Sequence, residues 1–182
     1  MSGQVYVIFS TIIKNKLFSL LLYNEITKKK NRILLKNMKC LQILVKTLKA
    51  NISDESSNNF IYVFGGKNGT YLSSVSKFDS FTGRWSEITQ MLDKRTHFDC
   101  AVVEDKIYLC GGIGGKNLNT LEVFDSKTET FQTLSPMKHA RQSCGVAALN
   151  GFIYVAGGWD GKNHSDEVEK YSIENKQWKE VS

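Results

Sequence analysis

Histidine and cysteine are the side chains of this sequence best suited to catalysis or metal binding, and they are few and scattered. No Ser-His-Asp set, phosphate-binding glycine loop or paired-carboxylate motif accompanies the three histidines, which lie in predicted inter-strand loops (His97, His139 and His164). Nucleophilic catalysis needs a nucleophile, a base and an orienting group within reach of one another. The sequence therefore predicts no catalytic residue, no cofactor and a protein that is not an enzyme.

The four cysteines lack the spacing of a metal site. No CxxC pair and no alternation with histidine occurs among Cys40, Cys100, Cys110 and Cys144, whereas structural zinc sites place their ligands in closely spaced pairs. The last three lie in or beside apolar runs, where we expect buried free thiols. Free thiols are typical of a reducing compartment. We therefore expect no metal and a cytoplasmic protein.

These residues lie within a threefold internal repeat. A short β-branched and aromatic run followed by two glycines begins at Phe60 and returns at Lys106 and Phe152. The first glycine of each pair recurs after 46 residues in both steps (65 to 111 and 111 to 157), and other landmarks keep nearly the same spacing. The repeated structural positions are Gly65, Gly66, Gly111, Gly112, Gly157 and Gly158; Trp85, Phe131 and Trp178; and Arg95 and Arg141.

Each repeat predicts four short strands. A strand that is apolar on both faces precedes the glycines, the next carries an aromatic residue such as Phe78, and a polar turn leads to a strand that opens with Trp85 or its counterpart. Repeats of this length with several short apolar runs are typical of propeller blades. We therefore predict an all-β fold over 60–182, a partial β-propeller of about three four-stranded antiparallel blades, with the three large aromatics buried at equivalent places.

The first fifty residues differ in composition from the repeats. They hold ten Lys/Arg and one acidic residue, a charge of +9, whereas the whole chain carries +6 and the remainder therefore −3. The repeats thus lack the basic surface typical of nucleic-acid binding, although the basic segment alone could contact a polyanion. Apolar residues at helical spacing predict an amphipathic helix over 34–49, and polar residues predict a linker over 51–59. We expect a basic, partly helical segment over 1–50 and no nucleic-acid partner.

A membrane segment is not expected at the amino terminus. The apolar stretch within residues 4–23 is interrupted by Lys14-Asn15-Lys16, and each central lysine costs a spanning helix about 3 kcal/mol. No positive charge precedes the stretch, as a secretory signal would require. We therefore predict neither a signal peptide nor a membrane anchor.

The number of repeats is small for a propeller. About eleven strands are predicted, with no first strand for the first blade, whereas closed propellers have roughly four to eight blades. An open arc would expose apolar side chains at both ends, each costing about 1.5–3 kcal/mol. We expect a truncated or degenerate copy, or a piece that completes itself by self-association through its open blade edges.

The motifs resemble kelch repeats. Phe78-Asp79, Trp85, Met91 and Arg95 match the kelch pattern and recur as Phe124-Asp125, Phe131, Met137 and Arg141, whereas the third copy departs with Ser172 in place of aspartate. The resemblance covers about two thirds of the chain. It implies a propeller whose loops at one end line a pocket for a partner.

The resemblance also implies which residues face that pocket. They follow the glycine pair or the loop arginine in each repeat, and they are Lys67, Thr96, His97, Gln142, Ser143 and Trp159. The similarly placed Ile113 is expected to serve in packing. Trp159 is interpreted as an anchor for a partner or as a side chain that folds back on its own blade. Arg95 and Arg141 are interpreted as ties between blades through backbone carbonyls.

Two classes of function follow from the resemblance. The first is a protein-interaction module similar to the substrate-recognition propeller of kelch-like adaptors of cullin-RING ubiquitin ligases, with a ligase substrate as the partner. In that class, the resemblance offers two readings of residues 1–50: helix 34–49 as a remnant of a BACK-type helix, or the whole segment as a non-native extension. The second is a cytoskeletal kelch protein that binds actin. A sugar-active kelch-type enzyme is a distant third, because no Tyr and His set for copper is identifiable.

Overall fold

The computed structural model describes residues 6–10, 60–79 and 82–181, and all regular secondary structure in these ranges is β-strand. The strands form three antiparallel four-stranded sheets, here called blades 1, 2 and 3. The all-β, blade-like part of the prediction is confirmed, whereas the helix predicted over 34–49 lies outside the described residues.

Blade 1 contains β1 (Tyr6–Ser10), β2 (Phe60–Asn68), β3 (Thr70–Asp79) and β4 (Arg84–Gln90). Blade 2 contains β5 (Asp99–Val103), β6 (Lys106–Cys110), β7 (Leu121–Asp125) and β8 (Thr130–Leu134), and blade 3 contains β9 (Gly145–Leu149), β10 (Phe152–Ala156), β11 (Val168–Ser172) and β12 (Gln177–Val181).

The first strand of blade 1 comes from a distant part of the sequence. β1 pairs antiparallel with β2, with Tyr6 opposite Phe64 and Ser10 opposite Phe60. The sequence predicted no strand in this place because the residues immediately before Phe60 are polar. The β-branched and aromatic run Tyr6–Ser10 is well suited to pair with the free edge of β2. The described residues therefore contain twelve strands, whereas the sequence predicted about eleven.

Each blade packs against its neighbours through the two faces of its second strand. In β6, Ile107 and Leu109 contact blade 1, whereas Tyr108 and Cys110 contact blade 3. Successive side chains of a strand point to opposite faces, so a strand between two blades must be apolar at every position. We call the face toward the next blade in sequence the forward face, and the opposite one the rear face.

Two apolar clusters fill the two boundaries between blades. Aromatic residues dominate the first, where the Phe64 and Phe124 rings meet edge-on with centroids 5.4 Å apart. The first cluster contains Tyr62, Phe64, Val75, Met91, Phe98, Ile107, Leu109 and Phe124. The second contains Ala101, Tyr108, Cys110, Leu121, Val123, Met137, Cys144, Ile153, Val155 and Tyr171. The arc is therefore held together by burial between sheets, as expected for stacked repeats.

The large aromatics of the fourth strands occupy equivalent places. Each faces an aromatic residue of the third strand, and the ring centroids are 5.1 Å apart for Phe78 and Trp85 and 5.3 Å apart for Tyr171 and Trp178. The prediction that all three are buried is wrong, because Trp85 is 41% exposed and Phe131 and Trp178 are half-buried. The fourth strand is the outermost of its blade, and no described residue of blades 2 and 3 packs on the rear face that carries Trp85.

The first strands of blades 2 and 3 are joined by a side chain. Asp99 Oδ2 accepts a hydrogen bond from the Val146 backbone N–H at 2.9 Å, and Oδ1 accepts one from the Cys100 N–H at 2.9 Å. Burial raises the pKa of Asp99 above its ordinary value, although both backbone hydrogen bonds oppose the shift. The carboxylate therefore fixes β9 beside β5 on the inner side of the arc.

Candidate functional site

The loops that leave blades 1 and 2 are each held by one arginine. The Arg95 carbonyl accepts a hydrogen bond from the Gly66 N–H at 2.9 Å, and its guanidinium Nη1 donates to the Gly111 carbonyl of blade 2 at 3.0 Å. Arg141 repeats the arrangement, with Gly112 N–H on its carbonyl at 2.9 Å and Gly157 as its acceptor at 2.8 Å. Both arginines thus connect two blades through backbone carbonyls, in agreement with the interpretation from sequence.

A buried glutamate completes each of these connections. Arg141 Nη2 donates to Glu169 Oε1 at 2.7 Å, and Arg95 Nη2 forms the same bond with Glu122 Oε1. Glu122 also accepts the backbone N–H groups of Leu92 and Asp93, each at 3.0 Å. The Glu122 carboxylate therefore binds both the Arg95 guanidinium and the backbone of the loop at residues 92–93. Sequence reasoning missed these glutamates, although their matched places beside Leu121 and Val168 were a visible signal.

Backbone pairing joins the loops at the blade boundaries. Thr96 and Ile113 exchange two hydrogen bonds, with N···O distances of 3.0 and 2.8 Å, and Gln142 and Trp159 do the same at 3.0 and 2.8 Å. The residue after each arginine is therefore paired with the residue after the next glycine pair. We call this end of the arc, formed by loops 91–98, 113–119, 137–144 and 159–166, the loop rim.

The loop rim contains an open depression at the boundary of blades 2 and 3. Its volume is about 480 Å³, and its lining consists of His97, Gln142, Ser143, Gly158, Trp159 and His164. The Trp159 and His164 rings meet edge-on with centroids 4.8 Å apart. Trp159 is half-buried, so it leans on its own loop and still presents part of its indole to the depression.

Four of the six residues predicted to face a partner line this depression: His97, Gln142, Ser143 and Trp159. Thr96 does not, because it is only 1% exposed and its side chain is buried at the blade boundary. Lys67 does not line it either, and its ammonium lies over the Tyr71 ring, 4.9 Å from the centroid. The register of the repeats predicts a loop over 67–73, as in the other two blades, but the structure has a hairpin there because Gly69 at φ +71° allows β2 and β3 to turn directly into each other.

Unusual backbone conformations fix two of the lining residues. His97 and Ser143 both have φ of 53°, in the left-handed region that residues other than glycine rarely adopt. They occupy the same position in successive repeats, and the Ser143 N–H donates to the His97 carbonyl at 2.7 Å. The same conformation recurs at Glu129 and Lys176 in the turns at the other end of the blades, so it belongs to the tight turns of the repeat and fixes where these two rim residues lie. Sequence reasoning found both positions but not their conformation.

The electrostatic environment favours an uncharged imidazole in the depression. Burial lowers the pKa of His97 below its ordinary value, and the nearby positive charge of Lys67 lowers it further. No acidic side chain lines the depression. The depression therefore offers the imidazole of His97, held toward its neutral form, together with an amide, a hydroxyl and an indole, which can form hydrogen bonds and stacking contacts.

The histidines and cysteines of the described ranges form no metal-binding cluster. No three His, Cys, Asp or Glu residues there are grouped so as to hold a metal ion, and no described helix is long and apolar enough to span a membrane. Cys110 and Cys144 are buried free thiols, and Cys100 is a half-buried one. Burial raises the pKa of Cys144 to about 11 and that of Cys110 well above its ordinary value, so these thiols are poor nucleophiles.

Three repeated blades with a shared loop rim define this chain as an arc of a β-propeller. A family model described as the KLHDC2/KLHL20/DRC7 Kelch-repeats domain matches residues 47–182. The chain belongs to this family of Kelch-repeat domains. None of the curated proteins compared with the chain matches it. Kelch-repeat domains are generally non-catalytic modules that bind protein partners, and the depression on the loop rim is the candidate contact site.

Proposed function

We propose that the chain recognises a protein partner through the depression on its loop rim. The observation that carries the proposal is the convergence of His97, Gln142, Ser143 and Trp159 from three loops onto one concave surface. Loops are free to carry function because the strands beneath them form the scaffold. A half-exposed tryptophan among polar neighbours is the composition expected of an interaction hot spot.

The finer role we propose is that of the substrate-recognition part of a kelch-like adaptor of a cullin-RING ubiquitin ligase, working in the cytoplasm. Support comes from the kelch family of the repeats and from the lining of the depression, which contains no Lys, Arg, Asp or Glu and so favours shape and hydrogen bonding. The three cysteines of the described ranges form no disulfide, which suits a reducing compartment. Actin is the other partner class that the kelch resemblance implies.

The test is capture of cytosolic proteins on the immobilised chain, with bound proteins identified by mass spectrometry. The variant combines Trp159→Ala with His97→Asn, because asparagine tolerates the left-handed backbone at 97. We expect the variant to weaken binding by about 2 kcal/mol or more, as for a hot spot, measured by calorimetry on the purified partner. An unchanged thermal midpoint would show that the blades remain folded.

The control variant alters the opposite end of the arc at Lys127 and Thr128, which lie in an exposed hairpin turn. Lys127→Ala with Thr128→Ala should leave capture unchanged. Equal capture by parent and rim variant, together with loss in the control variant, would place the binding site at the turns and refute the proposal. Ligase substrates and actin are distinguished by which proteins the rim variant loses.

A further inference from the structure

Two loops of blade 2 hold the backbone of Trp159. Its carbonyl accepts the Gln142 N–H and also the side-chain amide of Asn117, each at an N···O distance of 3.0 Å. Because a carbonyl oxygen has two lone pairs, these two donors use its hydrogen-bonding capacity fully. Asn117 is half-buried and does not line the depression. A residue outside the depression therefore holds the aromatic residue inside it.

The Asn117 amide also reaches the middle of loop 159–166. A Cβ built on Gly161 would lie 3.4 Å from Asn117 Nδ2, so the amide lies against the turn at this glycine. The turn is exposed and is closed by its own side chain, since Asp160 Oδ1 accepts two backbone N–H groups of the turn at 2.6 and 2.7 Å. Asn117 thus connects a self-contained turn of blade 3 to the neighbouring loop of blade 2.

The boundary between blades 1 and 2 has a different residue in the place of Asn117. Tyr71 occupies that place, since in both blades the carbonyl of the following residue accepts the N–H of the loop arginine. The Tyr71 ring lies beneath the Lys67 ammonium, 4.9 Å from it. The residue after the glycine pair at that boundary is Ile113. The amide is therefore present at the boundary where a tryptophan faces the depression.

We propose, on the basis of the proposed function of the depression, that Asn117 is a positioning residue that holds Trp159 in the orientation recognised by the partner. The Trp159 N–H donates to the Gln142 carbonyl at 2.8 Å, so both peptide units beside its Cα are fixed, and with them the direction of its Cα–Cβ bond. An anchor fixed before binding loses less conformational freedom when the partner arrives. Without the Asn117 amide, the peptide unit after Trp159 is less constrained and binding weakens.

The first experiment follows the tryptophans of the free chain by fluorine NMR after incorporation of fluorotryptophan. The chain has three tryptophans, and loss of a signal in Trp159→Phe assigns the one from Trp159. Asn117→Leu has a similar volume and no donor, so it should shift the Trp159 signal and leave those of Trp85 and Trp178 unchanged. Asn117→Ser is a second variant in case leucine at this position unfolds the chain.

Asn119 provides the matched control. Its amide makes the same kind of bond, from Nδ2 to the Met137 carbonyl at 3.0 Å, but it does not contact Trp159. Asn119→Leu and Asn119→Ser should leave the Trp159 signal in place. A Trp159 signal that stays in place in both Asn117 variants would overturn the positioning role, and so would an equal shift of all three tryptophan signals, which would indicate a general loosening.

The second experiment determines whether Asn117 acts through Trp159, with the protein partner identified by capture from cytosol. Asn117→Leu should raise the Kd about tenfold in the parent chain, as expected for loss of a preorganised anchor. In a Trp159→Ala background the same change should have little effect, because no indole remains to be positioned. Equal increases of Kd in both backgrounds would mean that Asn117 acts on the partner without Trp159, and would overturn the proposal. If Trp159→Ala leaves capture intact, the proposed function of the depression fails, whereas the fluorine signals still decide whether Asn117 positions Trp159.

Discussion

Arg141 lies on the loop that leaves blade 2, and its Nη2 is 2.7 Å from Oε1 of Glu169 in blade 3. Both side chains are 1% exposed, so this ion pair crosses the boundary between blades within the protein interior. Glu169 also accepts the Lys138 N–H at 2.8 Å. The same pairing of Arg95 with Glu122 makes it a repeated component of the fold.

Removal of one partner of this pair should be far more damaging than removal of both. Glu122→Ala leaves the buried Arg95 guanidinium with only the partly exposed Asp93 carboxylate, 3.4 Å away, as a counter-charge, and the free energy of unfolding should fall by about 3 kcal/mol. The double change Arg95→Met with Glu122→Leu should cost clearly less than the sum of the single changes, because no unpaired charge remains. Urea unfolding of the four proteins measures the coupling.

The exposed pair of Lys138 and Glu180 is the matched control, since both side chains are more than half exposed. Lys138→Ala should leave the urea midpoint unchanged because exposed ion pairs contribute little. Equal effects of Glu122→Ala and Lys138→Ala would contradict the importance assigned to the buried pair.

The glycine pairs should differ in their tolerance of a side chain. Gly111 and Gly157 have φ of +63° and +65°, so valine at either position should cost about 1–3 kcal/mol of backbone strain. A Cβ at Gly111 would also clash with the Arg141 carbonyl, whereas at Gly157 the nearest atom outside its neighbours is the Ser165 carbonyl oxygen at 3.4 Å. Gly111→Val should therefore lower the thermal midpoint more. A larger loss of thermal midpoint for Gly157→Val than for Gly111→Val would contradict the close approach of the Arg141 carbonyl to Gly111.

His97 should make stability depend on pH below neutrality. Its folded-state pKa is lowered by burial and by Lys67, so near its ordinary pKa the unfolded chain binds more protons than the folded one. Stability due to the neutral imidazole is present above the unfolded pKa of about 6.5 and is lost as pH falls through that value toward the folded pKa. His97→Asn should flatten this part of the stability profile. Identical profiles for parent and variant from pH 8 to 5 would show that the site does not perturb the imidazole.

Trp178 should contribute a hydrogen bond that its counterpart Phe131 lacks. Its indole Nε1 donates to the Ser135 carbonyl of blade 2 at 2.6 Å, whereas Phe131 at the equivalent position has no donor. Trp178→Phe should lower the free energy of unfolding by about 0.5–1.5 kcal/mol. Trp159→Phe is the control for loss of an indole, and urea unfolding should show little change there. If Trp178→Phe and Trp159→Phe lower the free energy of unfolding equally, the loss comes from the smaller ring and not from the hydrogen bond.

The sequence predicted most of the scaffold because its signals are local and repeated. Strand β6 is apolar at every position after Lys106, and this pattern alone indicated burial on both faces. The arginines were recognised from their spacing, but Glu122 and Glu169 were not, because a single charged residue in a strand resembles a solvent-facing one until its partner is placed. β1 was missed for a different reason: nothing local in Tyr6–Ser10 specifies that it pairs with a strand fifty residues later.

The candidate site was predicted in outline from the register of the repeats. Counting from the glycine pairs and the arginines brought His97, Gln142, Ser143 and Trp159 to one end of the arc, and the structure places them around one depression. Thr96 was misassigned to the surface because register locates a backbone position but not the direction of its side chain. His164 was set aside in the sequence as a scattered loop residue, and only the fold of its loop brings it against Trp159.

In the main-chain pairs Thr96–Ile113 and Gln142–Trp159, the backbone holds the loops together and the side chains remain available for contact with a partner. Each pair is held by N–H and carbonyl groups alone, so the frame does not depend on which side chains occupy it. Lysine, isoleucine and tryptophan already stand at the three equivalent positions after the glycine pairs. A library that varies Ile113 and Trp159 together with Gln142 should therefore yield new binding specificities from one unaltered scaffold, and in natural sequences these positions are where paralogues with the same blades can diverge in what they bind.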